Sequence, residues 1–292
     1  MSLNRNTRID CTEPTAPVQW AVEVLYRDLK TVCRPTRKPG GVICLQQHNC
    51  PPESWELVAE KEKLILRAGD NRGYIYGLLA ISRRLLGVTD FWFWNDQQFS
   101  PVEEIPVPAD FSLGSRPAAV KWRGWFVNDE VLLHRWQLDG SREKPWEMVF
   151  EALLRCGGNM VIPGTGENAL RYRGLAQRMG LAVTHHHAEP LGARMFGEAY
   201  PDLEPRYDQY PAEFEALWAE ALEEQGNDVV WNLGFRGQGD RPFWADDPRY
   251  DTQRSRGQLI SAVIRRQYEM VQQRYPGAAC ATNLYGEIME LY

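Results

Sequence analysis

The 292-residue sequence has no C-x-x-C pair, no apolar run of membrane-spanning length and no surplus of basic residues, and each absence removes a class of function. Its six cysteines (Cys11, Cys33, Cys44, Cys50, Cys156 and Cys280) lack regular spacing and read as reduced, mostly structural thiols. A Cys44–Cys50 bridge is compatible with their separation, but nothing requires it. Without a membrane-length run, a bilayer is not an expected partner. A net charge of −6 argues against nucleic acid, which calls for a basic stripe, while leaving room for local basic pockets. No signal peptide precedes the first polar residues and Met1-Ser2-Leu3 reads as a cloning remnant, so the compartment stays open, with the cytoplasm favoured. What is abundant is aromatic: eleven Trp and twelve Tyr serve mainly as core, and some are free to act as stacking platforms for sugars.

Apolar spacing divides the chain in two. Residues 17–32 place Val18, Ala21, Val22, Leu25, Leu29 and Val32 at helical intervals, which predicts an amphipathic helix. Residues 41–45 read as a strand, and 55–59 and 63–68, joined by Glu60-Lys61-Glu62, read as a hairpin. Asp70 or Asn71 is the expected N-cap of a second helix over 73–86, ended by Gly87. The Phe91-Trp92-Phe93-Trp94 run is either a buried strand or an aromatic shelf. Four prolines within 100–117 mark a linker or edge segment. Beyond it, strands at 121–127, 159–162, 181–184, 229–233 and 278–284 alternate with helices at 145–156, 168–179, 211–225 and 255–275, a pattern that implies a parallel sheet.

The expected fold class is therefore α/β. A small α+β domain (residues 1–115) precedes an incomplete (β/α) TIM-type barrel (116–292). A full barrel takes about 250 residues, so the chain is expected to be the N-terminal part of a longer protein, truncated within the barrel and inactive alone.

Charged residues recur where the predicted strands end, which is how a parallel barrel assembles an active site. After the first strand come Asn128, Asp129 and Glu130; the two acids can supply a general base or bind a hydroxyl, or act as an N-cap and a solvated acid. After the third come His185-His186-His187 and Glu189. His185 and His187 face one way on a strand and with Glu189 could chelate a metal. No further cysteine or histidine cluster completes a tetrahedral set, so no metal is expected, and hydrogen bonding to sugar hydroxyls or a carboxylate by His186, His187 and Glu189 is favoured. After the fourth strand, residues 234–244 (GFRGQGDRPFW) set Arg236, Asp240 and Arg241 among glycines. An arginine fork there suits a carboxylate, the structural alternative being ion pairs with Asp240, Asp246 or Asp247. Glu287 lies past the fifth strand, flanked by Tyr285 and Tyr292, as a candidate proton donor or a first-turn helix glutamate. The 163–168 loop (PGTGEN) lacks the third glycine and the Lys-Ser/Thr ending of a phosphate cradle, so it reads as a loop with a helix cap, and no cofactor is expected.

Four of these segments together resemble glycoside hydrolase family 115, the α-glucuronidases that remove glucuronic acid or its 4-O-methyl ether from xylan. They are Arg123-Gly124-Trp125-Phe126-Val127-Asn128-Asp129-Glu130, the histidines before Glu189-Pro190, Gly234-Phe235-Arg236-Gly237-Gln238-Gly239-Asp240, and Leu284-Tyr285-Gly286-Glu287. Upstream, Asp70-Asn71-Arg72-Gly73-Tyr74-Ile75-Tyr76-Gly77 is similar to the family's hexosaminidase-like N-terminal domain. The resemblance implies inverting hydrolysis with Glu287 as general acid, Asp129 as base or water-positioning residue and Glu130 as its rival. It also implies substrate contacts from Asn128, His187, Arg236 and Asp240. Two departures touch the pocket: the 160–166 strand end has no aromatic residue, and Ala188 separates His187 from Glu189.

The expected function is thus release of α-linked glucuronic or 4-O-methylglucuronic acid from a plant polysaccharide such as xylan. The expected partner is a polymer or oligosaccharide bearing uronic acid, and a homodimer through domains outside this chain stays open. Two rivals come from other classes: a noncatalytic carbohydrate-binding protein on a decayed barrel, and a metal-dependent hydrolase built on His185, His187 and Glu189.

Overall fold

The computed structural model describes residues 1–128, 130–238 and 241–283, which fall into two compact units. The first comprises Met1–Trp125, Gln137–Asn159 and Leu175–Leu181, and the second the remainder. Both mix helix and strand, so the α/β class expected from the sequence holds. No helix among the described residues is long and apolar enough to cross a membrane, and all six cysteines are free.

The first unit is built on a five-stranded sheet. Its strands are β1 (Arg8–Asp10), β2 (Val42–Gln47), β3 (Trp55–Glu60), β4 (Lys63–Ala68) and β5 (Ser112–Gly114), in the order β1-β2-β4-β3-β5. β1, β2 and β4 run parallel, while β3 is antiparallel to both β4 and β5. The predicted hairpin is in place, with Glu60 opposite Lys63 and Trp55 opposite Ala68. The proline-rich stretch is partly an edge, because β5 closes one side of the sheet and Ile105–Pro106 pairs with Ser2–Leu3. Prolines suit such positions, since an edge does not need every N–H.

Two helices cover this sheet. The first, α1 (Ala16–Val32), buries all six of its predicted apolar positions. Pro17 sits in its first turn, where a missing N–H costs no hydrogen bond. The second, α2 (Asn71–Arg84), is capped by Asp70, whose Oδ1 accepts the Gly73 N–H at 2.7 Å while Oδ2 accepts the Glu53 N–H at 2.8 Å. One aspartate thereby starts the helix and holds the loop before β3. The helix stops at Arg84, two residues short of expectation, and Gly87 follows at φ 73°. The Phe91–Trp94 run is a turn and not a strand: Phe91 stacks on Trp125 at 6.2 Å, and the Trp92 indole N–H donates to Glu151 at 2.9 Å.

Glu151 lies on α3 (Glu143–Arg155) at the centre of a buried ionic cluster within the first unit. Arg155 donates to Glu151, Asp28 and Ser82, and Arg27 donates to Glu151 and Asp28, so α1, α2 and α3 share one network. Burial pushes the Glu151 carboxyl up. The hydrogen bonds and charge of Arg27, joined by Arg155 and Trp92, outweigh it and bring it down to about 2.

In the second unit the backbone passes through parallel steps. The Val127 N–H donates to the Ile162 carbonyl at 3.0 Å, at the end of β6 (Met160–Ile162). β6 is followed by α4 (Glu167–Arg178) and pairs in parallel with β7 (Ala182–Val183). Val183 forms a parallel bridge with Val229, and after α5 (Pro211–Gln225) the chain enters β8 (Trp231–Leu233). Past α6 (Gln253–Arg274), β8 pairs in parallel with β9 (Cys280–Thr282). Element order follows the sequence pattern, but the strands have only two or three paired residues where four to seven were expected. Buried Val229 and Val230 extend the apolar run beyond the regular ladder. The unit's core includes Phe196, Phe214, Trp218, Trp231, Phe235 and Val263.

Candidate active site

Three loops at the C-terminal ends of successive parallel steps of the second unit carry buried polar side chains. Asn128 and the single turn Glu130–Leu133 follow Val127, residues 163–166 follow β6, and the His185–Glu189 segment follows β7. Asn128 is exposed, whereas Glu130 is only 8% exposed.

The middle loop holds a carboxylate from each side. The Thr165 N–H donates to Glu130 Oε1 at 3.1 Å, and the Thr165 hydroxyl donates to the same oxygen. The next N–H, that of Gly166, donates to Glu189 Oε1 at 2.6 Å. Gly164 and Gly166 stand at φ 83° and 55°, conformations that side chains resist, and they turn consecutive amides outward just ahead of α4. Donors of this kind at a helix N-terminus attract anions. Here the protein's own carboxylates take them, so these amides are not free to cradle a phosphate.

The two acids differ in what remains. Glu130 Oε2 is buried and has no hydrogen-bond partner among the described residues. Such a group costs about 1–3 kcal/mol unless something completes it. Burial raises Glu189 most, the Gly166 N–H opposes it, and the nearby charges of Glu198 and Glu130 add to the rise, so that its carboxyl titrates at about 7. The cavity beside it, bounded by Pro163, Gly166, Thr184, His185 and Glu189, measures about 20 Å³, room for one water.

The histidines separate by role. Gln225 Nε2 donates to the Leu191 and Ala221 carbonyls, which leaves its Oε1 facing His185 Nε2 at 2.6 Å. His185 therefore carries its proton on Nε2, and its buried Nδ1 has no partner among the described residues. Burial is the main cause that brings its pKa down to about 4, so the ring is neutral. Gly192, at φ 69°, lies so close that a Cβ there would stand 2.5 Å from His185 Cδ2. His185 is engaged by α5, and among the described residues no group of three His, Cys, Asp or Glu is placed to hold an ion. His186 is half-buried and its ring lies 5.1 Å from Phe126 and 3.8 Å from that of His187, which is itself buried.

Past β8, Gln267 fixes the start of the glycine-rich loop by exchanging two hydrogen bonds with the Gly234 backbone, at 2.8 and 2.9 Å. Arg236 is buried, and its carbonyl accepts the Phe243 N–H at 2.6 Å. Arg241 is different: it is exposed and paired with Asp246, the ion-pair alternative weighed above. Asp129, Asp240 and Glu287 lie outside the described residues. Sequence reasoning missed Thr165, Gly166, Gln225 and Gln267. Only the two glycines flanking Thr165 advertised a loop in which amides come forward.

Comparison with known proteins adds relatives to this geometry. No curated protein sequence matches the chain. Among solved structures, a family GH115 4-O-methyl-alpha-glucuronidase with specificity for decorated arabinogalactans superposes with a TM-score of 0.82 at 21% identity. The match covers 100% of this chain and 44% of that one, so the chain spans less than half of its length. The chitobiase of Flavobacterium johnsoniae (TM-score 0.57, 13% identity, 97% of this chain and 50% of that one) shares the fold more distantly. So does a beta-N-acetylhexosaminidase of Bacteroides fragilis (TM-score 0.54, 14% identity, 97% and 63%). The family model of Glycosyl hydrolase family 115 matches residues 115–292, more than half of the sequence, and the chain belongs to that family.

Proposed function

We propose that this chain contributes the first part of a (β/α) catalytic barrel (116–292), behind a hexosaminidase-like accessory domain (1–115), to an inverting α-glucuronidase. The enzyme removes α-linked glucuronic or 4-O-methylglucuronic acid from a plant polysaccharide. The observation that carries the reading is the pair of carboxyls at the strand ends. Glu130 and Glu189 accept consecutive amides, and Glu130 keeps a buried oxygen with no partner among the described residues. A water or a sugar hydroxyl completes that oxygen. Inverting hydrolysis needs one carboxyl to activate water and another, about 6.5–9.5 Å away, to protonate the leaving oxygen.

In this scheme Glu287 is the general acid and Asp129 the base, with Glu130 sharing or replacing the role of Asp129. Asn128, His186, His187, Glu189, Asp240 and Arg241 surround the sugar, and the buried Arg236 binds its carboxylate. The structural relative named for decorated arabinogalactans widens the candidate polymers beyond xylan.

The test is incubation of the full-length protein with glucuronoxylan and with glucuronate-decorated arabinogalactan, followed by separation of the released acids. Release of glucuronic or 4-O-methylglucuronic acid is expected from at least one polymer. Binding without release would favour the noncatalytic alternative, and equal binding of glucose and glucuronic acid would end the uronidase reading.

A further inference from the structure

The first unit contains a groove that shares no residue with the strand-end site. Its volume is about 400 Å³, within the range of about 300–1,000 Å³ usual for small-molecule sites. It is bounded by the C-terminal half of α2, the start of β3, the segment following β5 and the end of α3. Five arginines line it against a single carboxylate, Glu53.

Most of that charge is already committed. Glu53 gives one oxygen to Arg123 and the other to Asn159. Arg155 spends its guanidinium on Glu151, Asp28 and Ser82. Arg83 pairs with Asp90 at 2.8 Å. Arg84, from the last turn of α2, and Arg116, from the segment after β5, are exposed and have no acidic partner among the described residues. Two unpaired guanidinium groups from different elements therefore line one concavity in a protein whose net charge is −6. Their mutual repulsion falls when an anion lies between them. A guanidinium fork matches a carboxylate with two parallel hydrogen bonds. Trp55, half-buried on the same wall, offers an apolar ring to a sugar.

We propose that this groove is a second, noncatalytic binding site for a uronate-bearing oligosaccharide, with Arg84 and Arg116 holding a sugar carboxylate. The anion class follows from the arginines. The glycan class rests on the function proposed above.

The experiment is calorimetric titration of the full-length protein at low salt with tri-galacturonate, which is acidic but has no glucuronosyl linkage to cleave. Xylotriose and inorganic phosphate are titrated alongside. The variants are Arg84→Gln/Arg116→Gln and, as an exposed control outside the groove, Arg37→Gln. Tri-galacturonate should bind the wild type and Arg37→Gln alike and at least tenfold more weakly to the double variant, with xylotriose weak throughout. Uronic acid release from a short substrate should be unchanged in the double variant. Equal tri-galacturonate binding by wild type and double variant overturns the site. Phosphate binding that depends on the two arginines, with no tri-galacturonate binding, overturns the glycan assignment. If the protein releases no uronic acid but the double variant still loses tri-galacturonate, the activity reading fails and the groove stands. A matching thermal midpoint shows the variant folded; a lowered one shifts the test to Arg84→Gln and Arg116→Gln singly, each expected to weaken binding.

Discussion

Replacing Glu189 by glutamine removes a charge and leaves the geometry almost unchanged, because the amide oxygen can still accept the Gly166 N–H. The carboxyl is raised from 4.5 to about 7, chiefly by burial. At about 1.4 kcal/mol per unit, the shift is worth about 3 kcal/mol. Between pH 4.5 and 7 the folded state holds a proton that the unfolded chain has released, so stability falls as pH rises through this window and stays low above it. His185 acts with the opposite sign, since its pKa is lowered to about 4 and stability rises with pH as the unfolded imidazole loses its proton. The two nearly cancel between about pH 4.5 and 6.5 in the wild type, so a single profile conceals both. The difference between Glu189→Gln and wild type isolates the carboxyl. Denaturation at pH 4 and pH 8 should give equal stabilities at the lower pH and a more stable variant at the higher, by up to about 3 kcal/mol. A variant no more stable than wild type at pH 8 would refute the argument that Glu189 is held in a site hostile to its charge.

Two further substitutions test the packing of the first unit. A Cβ on Gly77 would lie 2.3 Å from Leu66 Cδ1, so Gly77→Ala should lower stability by about 1–2 kcal/mol despite alanine's better helix propensity; a raised denaturation midpoint would contradict this contact. Arg155→Met leaves Asp28 and Glu151 buried with Arg27 as their one remaining cation among the described residues, and should cost about 3–5 kcal/mol. Arg27→Met should cost less, since that side chain is 32% exposed, and equal losses would show that burial does not set the ranking.

Local order was readable wherever the signal was local. The spacing of Val18 to Val32 set the face of α1, and Asp70 capped α2 from three residues away. The alternation after residue 117 gave the order of strands and helices in the second unit. Strand lengths were overestimated because an apolar run reports burial, and Val229 and Val230 are buried without belonging to β8. The Phe91–Trp94 run was ambiguous because hydrophobicity does not reveal where an indole N–H must go. Trp92 is fixed by Glu151, 59 residues further along. Glu130 and Glu189 were legible as acids at strand ends, and the ion pair of Arg241 with Asp246 was foreseen only as the alternative to its carboxylate-binding reading. Their use of Thr165 and Gly166 was not, because those bonds span 35 and 23 residues and depend on how two glycines turn a loop.

The most direct test of the account is the turnover of Glu130→Gln in the full-length protein, measured on a glucuronate-bearing oligosaccharide beside glucuronic acid affinity. The account predicts a fall in kcat of about 10²–10⁴-fold with affinity largely kept, as expected for a group acting in proton transfer or water activation. Wild-type turnover in Glu130→Gln would contradict it.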